Sequence, residues 1–190
     1  ALRGHGRVAE DHLPDDPQVL RERLGAHLAT HDVLVLSGGV SMGRFDHVPR
    51  ALRDLGVREI LHRVAQRPGK PLWFGIGPAG QSVFGLPGNP VSSLVCLLRY
   101  VVPGLEASAG LASRPVEPVA LGAPFRVKPA LWYFLPVQLD SNPALGTVAL
   151  PRPTHGSGDF VSLPGTDGFI ELPPGPAEYP AGHLAPLHRW

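Results

Sequence analysis

Hydrophobic residues recur at helical spacing only before Gly110 in this chain; beyond it the apolar runs are short, and glycine or proline marks nearly every junction. That switch constrains the fold more than any single motif. Strand-like runs that alternate with helix-like ones build a sheet flanked by helices, whereas short runs separated by turn residues build a barrel or sandwich. The sequence therefore predicts a three-layer α/β domain with a mostly parallel sheet over residues 1–108, followed by a small all-β barrel or sandwich domain over 109–190. A length of 190 residues accommodates both.

Local signals fill in the first domain. Residues 7–13 read as a short strand. Asp15-Asp16-Pro17 reads as a helix start, with Asp16 at the N-cap and Pro17 at the first helical position. Val19, Leu20, Leu24 and Leu28 then recur at helical spacing. Val33-Leu34-Val35-Leu36 is an unbroken apolar run of the kind that forms a buried parallel strand. Val48, Leu52 and Leu55 stripe a second helix that Gly56 stops, and residues 59–65, 71–76 and 82–86 read as strands. Residues 90–102 form a helix that is apolar almost all round and hence buried. In the second domain, strands are expected at 116–121, 131–139, 147–150, 160–163, 168–172 and 183–187.

Composition removes several function classes. Seventeen basic residues against sixteen acidic ones leave a net charge of +1, which excludes a charge-driven nucleic-acid binder. The single cysteine, Cys96, excludes an intramolecular disulfide and a cysteine-rich zinc site, and reads as core packing. The nine histidines show no metal-ligand spacing and read as surface residues. The longest apolar stretch, Val91 to Leu105, is broken by Arg99 and Pro103 and is expected to be too short for a membrane span. The expected setting is a soluble, cytoplasmic protein.

Three loops carry the chemistry. Ser37-Gly38-Gly39-Val40-Ser41-Met42-Gly43 follows a buried strand and precedes a helix. Glycines there let the backbone approach an anion, the helix start adds unpaired N–H groups, and Ser37 and Ser41 add hydroxyls. The bland alternative is a plain strand-to-helix turn. Leu86-Pro87-Gly88-Asn89-Pro90-Val91-Ser92 is a second strand-to-helix turn; Asn89 and Pro90 suit a helix cap, but capping requires neither Gly88 nor Ser92. Two such turns at the carboxyl ends of parallel strands share the sheet edge where α/β folds bind ligands. The third loop, around Arg63, Arg67 and Lys70, is a rigid cationic turn suited to an oxyanion or simply to solvent. Asp46 suits a helix cap. Asp15 is left over once Asp16 takes the cap, and two acids near a phosphate site suit Mg²⁺, which takes few protein carboxylates and keeps its waters.

GGVSMGRFD, RPGKP and LPGNPVS, in this order and spacing, resemble the molybdopterin molybdenumtransferase (molybdenum insertase) family, which includes the C-terminal domain of gephyrin. Asp15-Asp16-Pro17 and His155-Gly156-Ser157-Gly158 fit the same resemblance, which runs from about Val8 to the C-terminus. It implies insertion of molybdate into adenylylated molybdopterin: the pyrophosphate bond is cleaved, AMP leaves and molybdenum passes to the dithiolene sulfurs. It assigns Asp15 and Asp46 to Mg²⁺. Arg63, Arg67 and Lys70, with Ser41 and Ser92, fall to molybdate. Ser37, Gly38, Gly39, Ser41, Gly43, Pro87, Gly88, Asn89, Ser92 and Ser157 fall to the phosphate and pterin portions. Arg63 and Arg67 stand where the family often carries lysine, which keeps charge but changes geometry. The resemblance further implies a homodimer and a contact with a molybdopterin adenylyltransferase, while the charge balance and the broken apolar stretch give the expectation of no nucleic-acid or membrane partner. It also implies a preceding strand and two further N-terminal domains, so that this chain corresponds to the C-terminal portion of a longer protein. Two other functions fit the motifs: a molybdopterin adenylyltransferase, against which the β domain argues, and a non-catalytic dimeric scaffold that binds partner peptides.

Overall fold

A computed structural model describes residues 2–40, 47–112, 115–128, 130–153 and 163–190. They divide into two compact units, one of Ala1–Val64 with Gly69–Leu97, the other of Ala65–Pro68 with Leu98–Trp190.

In the first unit, α1 (Pro17–Thr30) starts as the sequence predicts: Oδ1 of Asp16 accepts from the N–H groups of Gln18 and Val19 at 2.9 and 3.0 Å, and Pro17 opens the helix. Its buried stripe is Leu20, Leu24 and Leu28. Then follow β1 (Val33–Ser37), α2 (Val48–Asp54), β2 (Arg58–His62), β4 (Trp73–Ile76) and β5 (Ser82–Leu86), with β3 (Gln66–Arg67) belonging to the other unit. The sheet order is β1-β5-β4-β2. The α/β class is as expected, but the sheet is mixed rather than mostly parallel: β1 and β5 run parallel, whereas β4 pairs antiparallel with both β5 and β2. The reason is the connection. Only the short 77–81 turn joins β4 to β5, and a short turn reverses the chain where a parallel neighbour needs a crossover. The core joins the α1 stripe to Leu34, Val40, Ala51, Leu52, Val57, Trp73 and Val83.

Residues 7–13 form no strand. The segment is tied to α1 instead, because the Asp11 carboxylate accepts from Arg23 at 2.6 Å and bonds His27 at 2.7 Å. Those bonds hold the Asp11 carboxyl below its ordinary value, His27 contributing most. His27 is therefore not an idle surface residue.

The helix expected over 90–102 runs on to residue 108, as α3 (Pro90–Cys96), a π-helical turn (Leu97–Val101) and α4 (Val102–Ser108). Proline inside an α-helix clashes with the carbonyl four residues back, and the wider π turn just before Pro103 relieves the clash. By length and hydropathy alone, these 19 residues suffice to cross a membrane, contrary to expectation. Within its own unit, however, Arg99 of this helix is paired with the barrel carboxylate Glu171, as a packed protein helix allows. Cys96 is buried, as core packing predicts.

The second unit is a closed barrel. Strands β6 (Glu117–Leu121), β8 (Trp132–Asn142), β9 (Gly146–Pro151), β10 (Gly168–Leu172) and β12 (Leu184–Arg189) follow the order β10-β12-β6-β9-β8, and β8 pairs back onto β10. Closure leaves no free edge in that ring. Five of the expected strands match; the one expected at 160–163 lies almost wholly outside the described residues. Strands β7 (Phe125–Arg126) and β11 (Glu178–Tyr179) form a separate ribbon, and β3 adds to β8. Leu121, Leu135, Val137, Ala149, Ile170 and Leu172 fill the interior.

Candidate functional site

The ends of β1 and β5 build the site. Because these strands are neighbours and parallel, their following loops emerge side by side. Gly38 and Gly39 have φ of +90° and +66°, a left-handed pair that only glycine adopts without strain. The Gly38 N–H donates to the carbonyl of Leu86 at 3.1 Å. A Cβ on Gly88 would stand 3.5 Å from the Gly38 Cα, so the two loops touch backbone to backbone. Val40 turns back into the core against Gly85, where a Cβ would come within 2.7 Å of its Cγ1.

Asn89 caps α3 as predicted: its Oδ1 accepts from the Ser92 N–H at 2.8 Å and from the Ser92 hydroxyl at 2.9 Å. The Ser92 proton is thus already committed, and that side chain is buried. The cap also fixes which way the Asn89 amide faces, since only its oxygen can accept. Nδ2 is buried and has no hydrogen-bond partner among the described residues. A buried donor without a partner costs about 1–3 kcal/mol and is rare in native proteins. Ser93 Oγ donates to the Pro87 carbonyl, which fixes the turn from within.

The basic residues separate. Arg63 has φ +70°, an unusual conformation for a side chain of its size, and its N–H donates to the Leu72 carbonyl at 2.8 Å. The next N–H, of Val64, donates to the Lys70 carbonyl at 3.0 Å, so Arg63 and Lys70 share one closed loop. Just before it, His62 Nε2 bonds the Val40 carbonyl at 3.0 Å, tying the cationic loop to the glycine loop. Sequence reasoning had no signal for His62, one histidine among nine. Arg67 belongs instead to the barrel unit through β3. Among the described residues no carboxylate pairs with Arg63, Arg67 or Lys70.

Asp15 is exposed, and no bond ties it to a described residue, as expected once Asp16 caps α1. The N-cap position of α2 is His47, which makes no side-chain cap bond. Ser41, Gly43, Asp46 and Ser157 lie outside the described residues. The described residues contain no group of three or more metal-ligating side chains.

An α/β unit with adjoining glycine loops at parallel strand ends, joined to a β-barrel unit, is the class this geometry defines. Residues 2–107 match the family profile described as a probable molybdopterin binding domain, and residues 118–190 match that of the MoeA C-terminal region (domain IV). The chain belongs to this molybdopterin-binding family, in the form that carries the MoeA C-terminal region. It is 42% identical over 189 residues to the molybdopterin molybdenumtransferase of Synechocystis sp., covering 99% of this chain and 46% of that protein. It is 27% identical to the Staphylococcus epidermidis protein of the same name, covering 95% of this chain and 42% of the relative. The crystal structure of a molybdopterin biosynthesis MoeA protein from Pyrococcus horikoshii superposes with a TM-score of 0.73 at 30% identity, over 93% of this chain and 42% of that one. The chain thus spans about half the length of these relatives.

Proposed function

We propose that this chain forms the molybdopterin-binding and C-terminal parts of a cytoplasmic molybdenum insertase, which places molybdenum from molybdate on adenylylated molybdopterin and releases AMP. The observation that carries this reading is the pair of touching glycine loops, the second of which holds the Asn89 Nδ2 buried and without a hydrogen-bond partner among the described residues. Backbone approach at Gly38, Gly39 and Gly88 suits a phosphate group, and Nδ2 donates to one of its oxygens. Pro87 and Ser92 shape that turn; Ser37, Ser41, Gly43 and Ser157 complete the phosphate and pterin contacts. Arg63 and Lys70 in the α/β unit, and separately Arg67 in the barrel unit, have no carboxylate partner among the described residues and suit an oxyanion such as molybdate. Asp15 and Asp46 would hold Mg²⁺, which when bound neutralises pyrophosphate charge. The reading extends to a homodimer and a contact with a molybdopterin adenylyltransferase. Leu94 and Leu97, only half-buried on an apolar helix, support packing of a second copy.

The test is Asn89→Asp in the full-length protein. Aspartate keeps the N-cap oxygen, but its second oxygen is buried where Nδ2 stood, so the variant is first shown to be folded by circular dichroism. The donor, however, is replaced by an oxygen that repels an anion. Calorimetric titration with AMP should show binding weakened about tenfold or more, the scale of a hydrogen bond to a charged group. Unchanged AMP affinity in a folded Asn89→Asp protein overturns the reading.

A further inference from the structure

Arg67 is held in an unusual way for an exposed cation. Strand β3 pairs in parallel with β8, setting Gln66 against Trp132 and Arg67 against Tyr133. The Trp132 N–H donates to the Ala65 carbonyl at 2.9 Å and closes that pairing. The Arg67 guanidinium carbon stands 5.8 Å from the centre of the Tyr133 ring, within cation–π range. Phe125 meets the same ring edge-on at 5.7 Å, which limits its rotation. The neighbouring Gln66 is buried; its Nε2 donates to the Pro68 carbonyl at 3.0 Å, and the Tyr100 hydroxyl donates to its Oε1. Every one of these residues belongs to the barrel unit.

A surface arginine is ordinarily steadied by a carboxylate, which cancels its charge. Here an aromatic face does the steadying, and no carboxylate among the described residues touches the guanidinium. An arginine oriented by a neutral ring keeps its full charge and its donor fork for an external oxyanion. We propose that Tyr133 is a positioning residue: the barrel unit presents Arg67 to an oxyanion, and the Tyr133 ring sets the guanidinium's orientation. This rests on the reading that Arg67 binds an oxyanion, and the experiment separates the two.

Molybdate is titrated calorimetrically into the full-length protein in one arm and AMP in the other. Arg67→Ala should weaken one of them about tenfold, which identifies the oxyanion. Tyr133→Leu should weaken the same arm about threefold, the scale of an exposed cation–π contact, while Tyr133→Phe, which keeps the ring face, leaves it unchanged. In the Arg67→Ala background Tyr133→Leu should add nothing. If the arm that responds is molybdate, its KM rises in Tyr133→Leu with kcat held. Should Tyr133→Leu fail to fold, Tyr133→Met, closer in volume, takes its place. If Arg67→Ala leaves both arms unchanged, the oxyanion reading falls. If Arg67→Ala weakens an arm that Tyr133→Leu does not, or if Tyr133→Leu weakens it equally without Arg67, the positioning role alone is overturned.

Discussion

The two units place their polar groups in opposite ways. In the α/β unit the candidate site is made mainly of backbone: glycines with left-handed φ, loop N–H groups, and one asparagine amide whose direction a helix cap dictates. The barrel unit relies on side chains that meet across long stretches of sequence. Its buried Glu171 accepts two bonds from Arg99, at 3.0 and 3.1 Å, and a third contact from His188 at 3.0 Å, while His188 stacks on Phe169 at 4.7 Å. A site of backbone is specified locally and tolerates changes elsewhere. A network of distant side chains fails when any member is lost.

The largest effect that difference predicts is at Glu171. Its removal leaves Arg99 and His188 partly buried without their anion, and breaking such a buried pair costs about 3 kcal/mol. Urea denaturation of Glu171→Ala should show that loss. The exposed pair Glu117–Arg189, at 2.6 Å, is the control: Glu117→Ala should not shift the midpoint measurably, because solvent screens it. Equal losses in the two variants would erase the contrast between a buried network and a surface pair.

The same carboxylate gives the barrel a pH dependence. Burial alone would raise the Glu171 value, but the bonds from His188 and Arg99 hold it below the ordinary 4.5. A lowered folded value means that the stabilisation is complete above 4.5 and is lost as pH falls through the folded value. Stability measured from neutral pH downward should therefore fall more steeply below that point in the wild type than in Glu171→Gln. Parallel curves would remove Glu171 as the source.

The contrast also explains what the sequence could show. Asp16, Asn89 and the glycines of residues 37–39 were legible because their partners lie within three residues, or because the backbone itself demanded them. Strands 82–86 and 168–172 were legible as short runs rich in apolar residues, set between turn residues. The pairing of Gln66 and Arg67 with Trp132 and Tyr133 was not, since nothing in a two-residue strand announces a partner 66 positions away. Nor was the π turn, because Pro103 reads as a stop unless the preceding turn widens. Arg63, Arg67 and Lys70 are contiguous enough to look like one cluster, yet the chain assigns Arg67 to the barrel.

In the α/β unit, two adjacent glycines sharpen the backbone side of the comparison. A Cβ on Gly39 would stand 2.7 Å from the Val48 Cγ2, in addition to the strain of its φ, whereas a Cβ on Gly38 meets nothing within 4 Å. Gly39→Ala should cost about 2 kcal/mol, and Gly38→Ala about 1 kcal/mol from conformation alone. Thermal unfolding of both variants tests the order. A Gly38 loss as large as that of Gly39 would mean that the contact with Val48 contributes nothing.

The smallest effect separates two neighbouring acids that look alike in sequence. Asp16 accepts from two orphan N–H groups at the start of α1, and its truncation to alanine should cost about 1 kcal/mol. Asp15 makes no such bond, so Asp15→Asn should leave stability unchanged. If Asp15 helps hold Mg²⁺, the same substitution removes a negative charge from the ion's surroundings while sparing the fold. AMP titrations of the full-length protein with and without Mg²⁺ should then show a smaller metal effect in Asp15→Asn than in the wild type. Affinity without metal should hold or rise, because one source of repulsion toward phosphate is gone. Asp16→Ala should behave in the opposite way, losing stability while keeping the wild-type metal dependence. Identical metal dependence in Asp15→Asn and the wild type would exclude Asp15 as an ion ligand, leaving it an exposed acid beside a cap.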